Sequence, residues 1–326
     1  CRDELECPGQ NEYVEPGLPA TVTVRLDLPE MQVQSRTLTE AQESRVNDLW
    51  IGLYDAEPGA GGRLKDSYYI SRGDEEGEHQ IRTLKIENLK TTSGRCHIVA
   101  AANVSNTHGI SSDNSLWDGN DDVHPTLLSM LKKADNIDKF KSIAAAIEST
   151  TQTDYSSANL VMGGTYLYTD QTTDGITHKP GYDWTQIPVV TIPAGDVRLV
   201  SGKIHMRRLV SKVTFKIKGS SGITIRPTGW RLLNNPRACF LQEQKSGDGK
   251  PMNAGDIIIS HLGDGDNSNY GDSYQTTEIE LGGTDANGNK MDDDTYHFSF
   301  YTYENRRTAT DRDDFKCDSY HKRESE

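Results

Sequence analysis

The sequence has no apolar run of about 18 residues, the length a membrane-spanning helix needs, so no transmembrane helix is expected. Hydrophobic residues are scarce, at 34% of 326, and Phe (6) is outnumbered by Tyr (14). That balance suits a polar, thin-cored β-protein and argues against a large enzyme core. Positive charge is also short: 35 Lys and Arg stand against 49 Asp and Glu, a formal net charge of -14. Nucleic acid and anionic membrane are thereby disfavoured as primary partners, because phosphate binding needs a basic surface. The five cysteines (Cys1, Cys7, Cys96, Cys239 and Cys317) form no CxxC pair, which disfavours a zinc site. Nine histidines occur without an HxxxH or HxH pair, so metal ligation has no nucleus. No GxSxG and no P-loop is present. The chain is expected to hold no metal or cofactor and not to be an enzyme.

What the sequence does contain is alternation. In the stretch from Asp196 to Gly219, Leu209, Val213, Phe215 and Ile217 share one face with Ser211, while Lys212, Thr214, Lys216 and Lys218 point the other way. The stretch is too long for one ordinary strand, and Gly202 suggests a bend or crossing point. It reads as the strand that leaves one β-domain and opens the next. Earlier, in ATVTVRLDLP, Val22, Val24, Leu26 and Leu28 alternate with Thr21, Thr23, Arg25 and Asp27 until Pro29 stops the strand. Further strands are expected at Leu49–Tyr54, SYYIS, HQIRTLKIENL, CHIVAAANV, QIPVVTIP, GITIRPTGWRLL, DIIISHL, TTEIEL and YHFSFYTY. Helical spacing is confined to residues 121–150, with Pro125 in a first turn and Leu127, Leu128, Leu131, Ile137, Phe140, Ile143, Ala144 and Ile147 on one face. Many short strands with frequent turns indicate β-sandwiches.

Other features have plainer explanations. Asp264, Asp266 and Ser268, and likewise Asp285, Asn287 and Asn289, place oxygens at alternate positions, yet lack the glycine and glutamate of an EF-hand loop; solvated hairpin loops are expected. Gly163-Gly164 reads as a turn rather than a phosphate cradle. The chain opens on Cys1, followed by a polar stretch carrying Pro8, Gly9, Pro16, Gly17 and Pro19. This is expected to be a lipoprotein tether over residues 1–19, lipid-modified at Cys1.

Several of these pieces, in this order, resemble the fimbrillin family, the type V pilus subunits of Bacteroidales-type bacteria. They are Cys1 with its tether, ATVTVRLDLP followed by an Arg-containing loop and VNDLWIGLYDAEPG, then LVMGG, then RRLVSKVTFKI, and finally FYTYENRR. Ser211 stands where the family's strand usually has Ala. The Glu-Asn signature is similar to that of tip-type or minor subunits, and larger members carry further strands beyond it, where this sequence has a charged stretch.

The resemblance implies a mainly β chain of two transthyretin-like β-sandwich domains, 20–200 with a small helical insertion and 201–326; the sequence is then either a fragment or carries an incomplete second sandwich. It implies a structural or adhesive subunit of a surface fimbria, exported to the cell outer membrane as a lipoprotein with lipid on Cys1. It also implies assembly with other fimbrial subunits by strand exchange after an Arg-specific protease acts. The exchanged strand would be that of Val22, Val24, Leu26 and Leu28, and the candidate cleavage residues are Arg36 and Arg45. Host protein or glycan is a further candidate partner of the fimbria. The alternative is a surface lipoprotein that binds glycan on a β-sandwich through exposed aromatic platforms, with Trp50, Trp117, Trp184 and Trp230 as candidates and Trp50 and Trp230 expected in the core.

Overall fold

A computed structural model describes residues 13–28, 45–71, 85–116, 125–146, 160–168, 185–199, 202–225, 227, 230–236, 238–245, 252, 270–275, 280–281 and 294–303. The chain is mainly β. In order, the strands are β1 (Pro19–Asp27), β2 (Asp48–Asp55), β3 (Leu64–Ser71), β4 (Lys85–Thr92), β5 (Gly94–Ala102) and β6 (His108–Ser111). Two short helices follow, α1 (Leu127–Lys133) and α2 (Ile137–Ser142), then β7 (Ile143–Ala146), β8 (Met162–Tyr168), β9 (Val190–Ile192), β10 (Gly195–Arg198) and β11 (Gly202–Arg208). The remaining strands are β12 (Val210–Lys218), β13 (Trp230–Pro236), β14 (Ala238–Phe240), β15 (Tyr270–Gln275), β16 (Glu280–Leu281) and β17 (Thr295–Tyr303).

β1 runs between two layers. Its first part pairs antiparallel with β4 and parallel with β10, and its last residues pair parallel with β11. From β11 the second layer continues through β8, β5 and β2 to β3, with β9 alongside the start of β5. A core lies between the layers: Val22, Val24 and Leu26 from β1, Ile86 and Leu89 from β4, Leu49, Ile51 and Leu53 from β2, and Ile204 and Met206 from β11. β1 alternates because only one of its faces is buried. β2 has no polar alternation between Leu49 and Tyr54 because its other face is buried too, under the helices: Trp50 and Tyr54 pack there with Phe140, Leu127 and Met130. The Trp50 ring stacks on Phe140 at 5.9 Å.

The helical patch is a cap on the sheet, as expected, but shorter. Thr126 and Asn136 cap the two helices, each side chain accepting from the backbone N–H three residues on. Ile143 and Ala144, assigned to the helix by their spacing, instead begin β7, which pairs with β6 on one side and β14 on the other. All four β7 residues are buried, and a run without polar contrast carries no period to read. Gly163-Gly164 is likewise not a turn. Both residues sit inside β8, where a Cβ on Gly163 would come within 2.2 Å of the Leu241 carbonyl oxygen. Gly202 opens β11 rather than bending it; its missing Cβ makes room for the Leu167 carbonyl.

The long stretch after Asp196 thus divides into β10, β11 and β12. β11 belongs to the layer of β8, while β12 pairs along its nine residues with β17. The expected apolar face of β12 is half covered: Val213 and Ile217 are half-buried and Phe215 keeps 37% exposure. Residues 238–245 return to the first half of the chain. β14 extends the sheet of β6 and β7, Arg207 pairs with Glu243, and Gln244 donates to the Lys141 carbonyl. DIIISHL, both candidate calcium loops, the Asn287-Gly288 turn, Ile81 and Leu84 lie outside the described residues.

Candidate assembly site

β1 is nine residues long and buries Val22, Val24 and Leu26 at 0%, 0% and 4% exposure, with Leu28 packed against the same core. Removing each such side chain from its pocket costs about 1.5–3 kcal/mol in lost burial alone. Thr21, Thr23, Arg25 and Asp27 face outward. The pairing to β4 is interrupted by a bulge between Val22 and Val24, opposite Asn88, which holds a left-handed φ of 60°.

Both ends of the strand are fastened. At its start, Ser93 donates from Oγ to the Glu15 carbonyl (2.6 Å) and accepts the Leu18 N–H, while its backbone exchanges hydrogen bonds with Gly17 and Leu18. Residues 15–18, expected to be the end of a free tether, are therefore docked. At its finish, Asp27 Oδ2 lies 2.8 Å from His205 Nδ1, in register across β1 and β11.

Beyond β1, residues 29–44 are outside the described set, and so is Arg36. The chain returns at Arg45, whose side chain is exposed and whose carbonyl accepts from Asn103 Nδ2 at 2.9 Å. Asn103 follows β5 with φ 61°, a conformation asparagine tolerates. Its Oδ1 accepts the Asn47 N–H (2.9 Å) and its Nδ2 also donates to the Leu160 carbonyl (2.8 Å). Buried Asp48 completes the node, accepting from Val104 N–H (2.7 Å) and Ser105 Oγ (2.6 Å). The sequence reading missed Asn103, Asp48, Ser93 and the Asp27–His205 pair. An Asn after a buried strand was the one visible signal.

Little points to chemistry. Among the described residues, no group of three or more His, Cys, Asp or Glu could hold a metal ion. Cys96 is a free thiol in the core, pushed up to about 12 mainly by burial, and so inert as a nucleophile. Trp50 is in the core and offers no platform; Trp117 and Trp184, with Cys1, lie outside the described residues.

Solved structures bear a loose likeness to the chain. A candidate cell adhesion protein of Parabacteroides distasonis aligns at 15% identity and TM-score 0.47, covering 90% of this chain and 73% of that one. The C-terminally truncated tip fimbrial protein Mfa3 of Porphyromonas gingivalis gives 12% and 0.42, covering 91% and 71%. The fimbrilin FimA of P. gingivalis W83 gives 12% and 0.41, covering 87% and 81%. No curated protein matches at the level of sequence. The family model for the major fimbrial subunit protein (FimA), however, matches residues 20–215, from the first residues of β1 into β12. That span is more than half of the chain and contains the whole core around β1, so the chain belongs to the FimA family of structural fimbrial subunits.

Proposed function

We propose that this fimbrial subunit is a surface lipoprotein that polymerises by exchanging β1 after a protease cuts the loop behind it. Lipid on Cys1 holds it at the outer membrane, and two sandwich domains, meeting between residues 193 and 212, form its body. The observation that carries the reading is the position of β1. It is the first described strand, it fills a core pocket with Val22, Val24 and Leu26, and it is flanked on both sides by other strands. Taking it away would leave an apolar groove lined by unpaired N–H and C=O groups of β4 on one side and β10 on the other. Such a groove is a template for another chain's strand, and main-chain pairing with alternate side-chain pockets gives affinity and specificity together. Cleavage after Arg36 or Arg45 would free β1 without breaking any strand of the two layers. Its partners are other fimbrial subunits and an Arg-specific protease.

Limited digestion of the folded protein with an Arg-specific protease tests this. The expected product is a clean cut between β1 and β2, followed by growth of high-mass assemblies. A folded protein that resists cutting there, or a cut protein that stays monomeric at high concentration, would remove the mechanism. Replacing Cys1 with Ser should release the protein from membranes, since buried acyl chain contributes about 0.8 kcal/mol per CH2.

A further inference from the structure

We propose that Asn103 decides where the loop behind β1 can be cut, by locking the Arg45–Val46 bond against proteolysis. This rests on the reading that an Arg-directed protease opens the loop. Of the two candidate arginines, Arg36 then receives the first cut, and the processed chain begins at Thr37.

A protease takes its substrate as an extended segment and turns the scissile carbonyl oxygen toward its own oxyanion donors. The Arg45 side chain is exposed and would enter a specificity pocket readily. Its carbonyl oxygen, though, is occupied by Asn103 Nδ2. The three residues that follow are fixed as well. Val46 is buried in the core between the layers, the Asn47 N–H is bonded to Asn103 Oδ1, and Asp48 is the first residue of β2 with its carboxylate bonded to Val104 and Ser105. Asn103 itself is tied at both backbone ends, its N–H donating to the Asp48 carbonyl (3.0 Å) and its carbonyl accepting from Thr107 Oγ1 (2.9 Å). Presenting the Arg45 bond therefore requires pulling the start of β2 out of the sheet. Cleavage then follows the population of that opened state. One asparagine side chain couples Arg45 and Asn47 to Leu160, which is distant from both along the chain.

The test compares the full-length protein with Asn103→Gly, which keeps the left-handed backbone and deletes the side-chain bonds, and Asn103→Asp, which sets a carboxylate oxygen against the Arg45 and Leu160 carbonyls. Each is digested under native conditions with an Arg-specific protease, and new N-termini are read by mass spectrometry. Cutting after Arg95, inside β5, is the internal monitor of general unfolding. Well behind the chain starting at Thr37, and only slowly, the wild type should yield a chain starting at Val46. Both variants should yield it at least about tenfold faster, the effect of losing about one net buried hydrogen bond, with the Arg95 cut unchanged. Wild-type cutting after Arg45 as fast as after Arg36 would overturn the proposal. So would variants that remain uncut at Arg45, or that gain this cut only together with the one at Arg95. A wild type cut at neither arginine, with variants cut at Arg45 alone, would support the lock while removing the processing reading on which its biological use depends.

Discussion

Several single residues here are placed by partners far away in sequence, and His97 is one whose placement has a measurable consequence. Its ring is held at 3.0 Å from the Pro188 carbonyl, beside the β9 end of the sheet. Burial pushes its pKa below the ordinary 6.5; Lys141 and Arg95 push the same way, against the carbonyls of Pro188 and Ile187. A histidine kept neutral in the fold binds a proton more readily in the unfolded chain. Its contribution is therefore fully present above about pH 6.5 and is lost progressively as pH falls below that value. His97→Gln should flatten the fall of the unfolding midpoint as pH drops below about 6.5. An unchanged slope would mean that other groups govern the acid limb. None of this could be read beforehand, since nothing near His97 in sequence names Pro188. The same holds for Gly163, whose missing side chain is explained only by the Leu241 carbonyl, and for Asn103.

Elements were legible where one face meets solvent and the other meets core. β1 satisfies that condition, and Val22, Val24 and Leu26 are buried as the alternation requires. β2 and β5 were legible for a different reason: an apolar run of strand length, buried on both sides. β7 failed the same reading because Ile143–Ala146 continues a helical spacing without interruption and its true partners, β6 and β14, come from elsewhere. β14 is the less expected of the two. It lies beyond the boundary drawn at residue 201, yet Ala238 and Phe240 pack with Ile110, Ala144 and Ala146. The segment after it continues the contact, with Leu241 donating to the Ile143 carbonyl at 3.2 Å. The halves of the chain are thus tied by a strand as well as by the β11–β12 connection. Truncating Phe240 to Ala removes about 3–5 kcal/mol of packing at a well-buried site. Hydrogen exchange at β6 and β7 should accelerate in Phe240→Ala. If exchange quickened only beyond residue 210, β14 would be an ornament on the first half rather than part of it.

For the whole molecule, the family and the mainly β class were legible from the order of degenerate motifs, each too weak alone. Of the proposed site, the buried alternation of β1 was legible, while the cleavage arginines and the exchange itself belong to the proposal. The fastenings, the Ser93 clip, the Asp27–His205 pair and the Asn103 lock, are long-range and were not legible. The first two hold the ends of β1, and the third holds the start of β2. Under the proposed exchange, an incoming strand would run antiparallel to β4 and parallel to β10, with apolar residues where Val22, Val24 and Leu26 now sit. A shift by one residue would turn polar side chains into the core. The direct measurement is binding of a labelled peptide spanning residues 19–28 to protein that has been cut behind β1 and stripped of it. The in-register peptide should bind and halt assembly, while a peptide of the same composition with its alternation shifted by one residue should do neither. Equal binding of both peptides, or assembly that proceeds unaltered in their presence, would contradict strand exchange through this groove.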